Sequence, residues 1–449
     1  MVLGEWYIPG TPEPEQPDWF KESIVAWYDP KKQGLTNYDV IEAYVEDFTT
    51  WHYLSSRGTA TVTTNKIIIT KSFSNIQNII EDNKSPYDDI KIYVTGISKD
   101  NPLTVNQYVD NKWVRLHTYT TDGIYIIKNN LCVGFGTYIT DNCNITITQL
   151  PTSILQDLSG NGNHAYLYGG KGKLNSGMGL YKVDFTSWRF YPSFNTVEYY
   201  HNKLVIKKAP DTKNLCAHTF TDKFTAKISN IPDGTNLYYK YYDRINKKNV
   251  SILLHNGINE IDYTNADGSI AATSMFIISK DVDFNITIEQ IPDCPDQLCY
   301  DGKMYAVAYD MPILTDYTVM AERTWFEIGS NSCFASKRLV RDGFDDIAGA
   351  FAIEYRQKYC NNFGAATAIS FEANKQEVIV QTKAKYMSTN INVGDGDDSD
   401  ILIIGANNNR ADAPREPYKG CHSDFLLFNR TLSEDEINWI KENIYNIKI

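Results

Sequence analysis

Asn144-Ile145-Thr146-Ile147-Thr148-Gln149-Leu150-Pro151 alternates β-branched with polar residues and closes on a proline. It returns as Asn285-Ile286-Thr287-Ile288-Glu289-Gln290-Ile291-Pro292, 141 residues on. The period of two is that of a strand with one buried face. Upstream, Asp47-Phe48-Thr49-Thr50-Trp51 returns as Asp184-Phe185-Thr186-Ser187-Trp188, and Asn65-Lys66-Ile67-Ile68-Ile69 as Asn202-Lys203-Leu204-Val205-Ile206, both at a shift of 137. Between these blocks the shift is 134: Ile90, Ile92 and Val94 match Phe224, Ala226 and Ile228, Leu103 matches Leu237, Tyr108 matches Tyr242, and Asp122-Gly123-Ile124 matches Asn256-Gly257-Ile258. Small loop insertions between strands of equal length produce such a drift. The chain therefore holds two copies of one β domain, residues 47–151 and 184–292, each about 105 residues, an ordinary size for a sandwich. Trp51 and Trp188, which open the copies, are expected to face the core rather than to serve as exposed ligand platforms.

Removing the copies leaves 18–46, 152–183 and 293–449, the pieces of one further domain interrupted twice. Ser23-Ile24-Val25-Ala26-Trp27-Tyr28-Asp29-Pro30 reads as a strand running into a proline turn. The loop Asp157-Leu158-Ser159-Gly160-Asn161-Gly162-Asn163 has glycines that allow positive backbone angles and Asp and Asn side chains that bond local amides, so a scaffolding role is expected. Near the end, Ile401 to Ala406 and Ser423 to Arg430 read as strands. A helix is predicted from about Glu434 to Asn446, capped by Ser433 with Glu436 as its capping-box partner.

The order WYD, DLSGNGNHA, IIGA and DFLLFNRTLSEDEI resembles the concanavalin A-like (laminin G-like, pentraxin-like) lectin fold. The resemblance covers a little under half the chain, and the C-terminal block carries most of it. It implies an all-β protein: a jelly-roll sandwich with two inserted, mutually homologous β-sandwich domains and a short C-terminal helix. Insertion at loops is cheap when the inserted domain's ends lie close together. In overall style the repeats are similar to small β domains in structural proteins of crAss-like and other Bacteroidales tailed phages. That likeness implies a virion component, assembled in the bacterial host, that meets other virion proteins, copies of itself and host surface glycans.

Composition agrees with a soluble, folded chain. Of 449 residues, 42% are hydrophobic, and 43 basic against 55 acidic residues leave a net charge of −12. That balance argues against a nucleic-acid partner, which needs a positive surface, and against electrostatic membrane attachment. No apolar run is long enough for membrane insertion, and MVLGEWYIPG lacks the basic-then-apolar pattern of a secretory signal. Eight scattered cysteines without a repeating spacing are expected to be reduced, and 31 tyrosines favour strands and broad amphipathic surfaces.

Catalytic patterns are not found. Glycan hydrolases on a lectin-like sandwich set alternating carboxylates along one strand, and retaining chemistry needs its pair about 5 Å apart. Glu434-Asp435-Glu436 falls instead in a first helical turn, where the helix dipole explains it. Cys421 and His422 are adjacent on a strand and point to opposite faces. The expectation is a non-enzymatic protein, with a stand-alone bacterial glycan-binding protein, or a glycoside hydrolase, as alternatives.

Two candidate sites remain. Asp395, Asp397, Asp398 and Asp400 offer the oxygen donors that a hard cation takes, without the EF-hand pattern. A solvated acidic turn accounts for them more simply, and they stand as candidate ligands of a structural Ca2+, the sole cofactor considered. Pro9, Pro12, Pro14 and Pro17 make residues 1–17 an extended arm. Trp6, Tyr7 and Trp19 are its candidate docking anchors, with a plain linker as the alternative.

Overall fold

The structure, a computed structural model, describes residues 15–448 except 74–77, 83–87, 129–131, 138–141, 173, 192–195, 209–213, 220–222, 263–271, 279–282, 328–331, 341–346, 355–373, 383–398, 408–413 and 415–416. It is all-β, with antiparallel sheets and a short C-terminal helix. The chain divides into two compact units. The first comprises Met1–Gln33, Ile41–Gly170 and Gly302–Ile449, and the second Gly34–Val40 and Lys171–Asp301.

In the first unit, β1 (Ile24–Tyr28) follows the short helix α1 (Asp18–Ser23) and precedes α2 (Pro30–Gln33). Ten strands follow: β2 (His52–Tyr53), β3 (Gly58–Val62), β4 (Lys66–Ser72), β5 (Asn78–Glu81), β6 (Ile90–Thr95), β7 (Leu103–Val109), β8 (Lys112–Tyr119), β9 (Gly123–Ile127), β10 (Val133–Gly136) and β11 (Asn142–Gln149). They form two sheets, β2-β5-β10-β7-β8 and β3-β4-β11-β6-β9. Between them lies a core that includes Phe48, Trp51, Ile67, Ile92, Val105, Phe135 and Ile147. Outside this sandwich are β12 (Ile154–Leu155) and β13 (Ala165–Tyr168).

The second unit contains β14 (Met178–Leu180) and ten strands of its own: β15 (Arg189–Phe190), β16 (Thr196–Tyr199), β17 (Lys203–Lys208), β18 (Asn214–Thr219), β19 (Phe224–Ser229), β20 (Asn236–Asp243), β21 (Lys248–Leu254), β22 (Gly257–Ile261), β23 (Ala272–Ile278) and β24 (Asp283–Ile291). Their sheets are β15-β18-β23-β20-β21 and β16-β17-β24-β19-β22. Strand for strand, this is the order of the first sandwich. Next comes β25 (Asp293–Asp301), which pairs with β14.

Local chemistry repeats with the topology. Asp47 accepts the amide of Thr49 and caps the 3-10 turn Phe48–Thr50; Asp184 does the same for Phe185–Ser187 through Thr186. Trp51 and Trp188 are each 5% exposed and pack edge-on against Phe48 and Phe185, as expected of core tryptophans. The glutamine of each final strand ties that strand to the segment leading in. Gln149 accepts the Glu46 amide and donates to the Glu46 carbonyl, while Gln290 accepts the Val183 amide and donates to the Val183 carbonyl. After β6 the chain turns left-handed at Gly96, and after β19 at Asn230.

The rest of the first unit forms a further two-sheet β-sandwich, built from the pieces whose motifs resemble the lectin fold and accordingly termed the lectin-like sandwich. It adds β26 (Tyr305–Ala308), β27 (Thr318–Glu327), β28 (Cys333–Val340), β29 (Ile347–Glu354), β30 (Gln376–Thr382), β31 (Leu402–Ile404) and β32 (Lys419–Phe428). One sheet runs β12-β13-β26-β31-β28-β29. In the other, β32 pairs with β1 and β27, and β27 with β30. The helix α3 (Glu434–Asn443) carries the expected capping box of Ser433 and Glu436. Arg430 grips Glu436 through two bonds of 2.9 and 2.7 Å and holds its carboxyl down at about 2. The helix stops three residues short of the predicted Asn446, which adopts a positive φ of 54°. Its Ile440 joins Phe20, Trp27, Met320, Leu426 and Phe428 in a core that binds both ends of the domain together.

The Asp157 loop is a staple on β1. The Asp157 carboxylate accepts the Trp27 amide at 2.9 Å, the Ser159 amide and hydroxyl, and the Asn163 amide. Asn161 and Asn163 donate their side-chain amides to carbonyls of Ile24 and Val25, and Tyr28 donates to the Asn163 carbonyl. Gly160 and Gly162 turn left-handed, which lets seven residues fold back onto one strand.

Candidate functional site

Each repeat ends one of its sheets in a hairpin whose outer strand is open on one side, β7–β8 in the first and β20–β21 in the second. The first turns on two residues, Asp110 and Asn111, both with positive φ, the geometry whose twist suits a two-residue hairpin. In the second, Asp243 accepts the amides of Ile245 and Asn246 across a longer turn. Tyr108 on β7 is 40% exposed, and Tyr242, its match at a shift of 134, is 44% exposed on β20. Val114 and Leu116 of the first hairpin, and Ile245 and Leu253 of the second, are exposed as well.

In the first repeat the aromatics are organised further. Trp113 lies opposite Tyr108 with ring centres 5.4 Å apart. Exposed His117 stacks on Tyr119 at 5.6 Å, and Tyr119 on Tyr125 at 3.7 Å. An exposed ring of this kind presents an apolar face and a polar tip, the chemistry that meets the C–H face and hydroxyls of a sugar.

A second constellation lies on the lectin-like sandwich, where Asp29, Glu322 and Asp424 converge. Trp27 Nε1 donates to Asp424 Oδ1 at 2.7 Å, and the Lys32 ammonium sits 4.2 Å over the Trp27 ring. Asp29 accepts the Lys32 amide, and Ser423 donates to Glu322 at 2.6 Å. Tyr445, following α3, donates to the Asp424 carbonyl. Burial, and after it the charge of Asp29, push the Asp424 carboxyl up to about 7. The carboxyl is engaged by the Trp27 indole, a contact internal to the fold. Neither Asp29 nor Asp424 stood out in the sequence, although both lie inside the quoted motifs. Only the pairing of β1 with β32 brings them together.

Of the acidic loop, Asp395, Asp397 and Asp398 lie outside the described residues. Asp400 is half-buried, accepts the Tyr93 hydroxyl at 3.4 Å and offers its backbone carbonyl to the Met311 amide. It thus belongs to a tyrosine contact between the first repeat and the lectin-like sandwich. Tyr93 packs 4.4 Å from Tyr309, which shares a hydroxyl bond with Tyr168. Burial raises all three phenols. Among the described residues no three His, Cys, Asp or Glu side chains are grouped to hold a metal.

Trp6 and Tyr7 also lie outside the described residues. Trp19 is half-buried within its own chain, 5.7 Å from Trp439 and 5.8 Å from Phe20, with the Arg430 guanidinium over its ring. The seven described cysteines are unbridged. Cys421 and His422 are both fully buried, and burial lowers His422 to about 4.

No protein-family model matches the chain. Nor does any curated protein. Among solved structures, the chain is similar to Trypanosoma rangeli sialidase in complex with sialic acid, at 14% identity and a TM-score of 0.25, covering 86% of this chain and 83% of that one. It is also similar to the CBM22 tandem domain of Paenibacillus barcinonensis Xyn10C, at 9% identity and a TM-score of 0.17, covering 56% of this chain and 92% of that one. At these TM-scores, fold and function rest on the chain's own residues.

Proposed function

We propose that this chain is a non-enzymatic structural appendage of a phage particle, a head-fibre, capsid-decoration or tail-associated component, whose duplicated sandwiches face host surface glycans. The observation that carries the glycan half is the recurrence of one exposed aromatic hairpin, Tyr108 on β7 and Tyr242 on β20, in two sandwiches of identical strand order. Two weak sites on one chain, multiplied by copies in a particle, give avidity that neither site has alone. The particle half rests on the resemblance of the repeats and on the proline-rich arm.

Two measurements test the halves separately. Light scattering on the full chain, and on a chain without residues 1–17, is expected to show a defined oligomer that dissociates when the arm is removed; a monomer in both forms overturns the appendage reading. Retention on immobilised host polysaccharide is expected to fall at least tenfold in the Tyr108→Ala, Tyr242→Ala double variant. Retention equal to the parent's, or none by the parent, overturns the glycan reading.

A further inference from the structure

The interior of the lectin-like sandwich holds a cation whose hydrogen-bonding capacity is mostly unspent. Arg323, on β27, is 3% exposed. Its guanidinium lies 5.4 Å from the ring centre of Trp325 on the same strand and 5.2 Å from that of Phe334 on β28, so it reaches between the two sheets. Of its N–H groups, Nη2 donates to Glu377 Oε1 at 3.2 Å. Nε and Nη1 are buried and have no hydrogen-bond partner among the described residues.

A guanidinium carries five donors in a planar fork matched to a carboxylate. Burying it with one contact leaves a desolvation cost that a second acceptor would offset. The rings of Trp325 and Phe334 lie against it and offer those hydrogens no oxygen acceptor. His422 lies opposite Arg323 across the strand pair and, with its pKa near 4, is neutral and does not compete for an anion.

Glu377 is the way in. It is the neighbour of Arg323 on β30, its side chain is 43% exposed, and it holds the guanidinium by one oxygen only. A carboxylate arriving from solvent can take the place of this side chain and use the fork through two oxygens, a stronger arrangement than the single contact.

We infer that Arg323 is the anchor of a second binding site, which takes a carboxylate-bearing sugar and which Glu377 occupies as an internal competitor. The choice of a sugar rests on the glycan reading above. The carboxylate follows from Arg323 alone.

The test is titration of the full chain with glucuronate, glucose and acetate at fixed ionic strength, followed by Trp fluorescence and calorimetry. Glucuronate is expected to bind and glucose not to. Glu377→Gln is expected to tighten glucuronate about tenfold by removing the competing charge, and Arg323→Lys, which keeps the charge but loses the fork, to weaken it at least tenfold. Acetate binding as strongly as glucuronate upholds the anion site and overturns its assignment to a sugar. Glucuronate binding that is absent from both parent and Glu377→Gln, or unchanged in Arg323→Lys, overturns the site. If Arg323→Lys does not fold, Glu377→Gln decides alone. Because Tyr108 and Tyr242 are intact in these variants, loss here is distinguishable from failure of the hairpin reading.

Discussion

Replacing Asp424 with Asn is expected to stabilise the lectin-like sandwich above neutral pH and to flatten its pH dependence. The folded carboxyl titrates near 7, whereas an unfolded aspartate does so near 3.9. The folded state therefore keeps a proton that the unfolded chain releases. This group costs nothing below about pH 4, and its cost grows as pH rises through 7, because stability falls wherever the folded state binds more protons. About three pH units at ~1.4 kcal/mol each sets an upper scale of ~4 kcal/mol. The Asp29 charge is one cause of the raised value, and a gain of a few kcal/mol is expected at pH 8. Asparagine keeps the oxygen that accepts from Trp27 Nε1 and cannot ionise. Hydrogen exchange of the peptide covering β1, compared between pH 5 and 8 after correction for intrinsic rates, reads this locally. The parent should open more readily at pH 8 than at pH 5, and the variant should lose most of that difference. Equal pH slopes in parent and variant would refute the reasoning.

Two other substitutions probe the scaffold. Asp157→Ala removes four accepted hydrogen bonds and strands the buried Trp27 amide, a loss of about 3–5 kcal/mol that denaturant unfolding should report, together with faster exchange across β1. At Gly96, φ is +80° and an added Cβ would lie 1.9 Å from the Asn144 carbonyl oxygen, so Gly96→Ala should lower the melting temperature of the first repeat. Gly96→Asn brings the same Cβ but should cost less than Gly96→Ala, because asparagine tolerates positive φ and Asn230 fills the matching turn of the second repeat, its side-chain amide donating to the Asn285 carbonyl.

The repeats were legible because each motif fixes a contact within its own domain: DFTxW caps a turn and seats a tryptophan, and NITIxQxP supplies a core strand and a tie to the chain leading in. The Asp157 loop and the capping box were legible for the same reason, since glycines and short polar side chains act on nearby backbone. What stayed hidden is long-range. Trp27 and Asp424 are 397 residues apart, and nothing in either neighbourhood announces the other. Tyr93 and Asp400 meet only because the first repeat packs on the lectin-like sandwich. Arg323 sits in a strand that holds other charged residues, and its burial depends on Phe334 from the opposite sheet. Such sites are made by topology, whereas sequence patterns report local geometry.

The glutamine ties have a consequence for how such a chain can change over time. Gln149 holds the last strand of the first repeat to Glu46, and Gln290 holds that of the second to Val183, so each sandwich leaves its host almost where it departed. A module whose two leads emerge side by side can be duplicated, exchanged or dropped by a single recombination event without re-threading the fold that carries it. The number of such sandwiches then becomes a quantity the genome can adjust by copying one cassette.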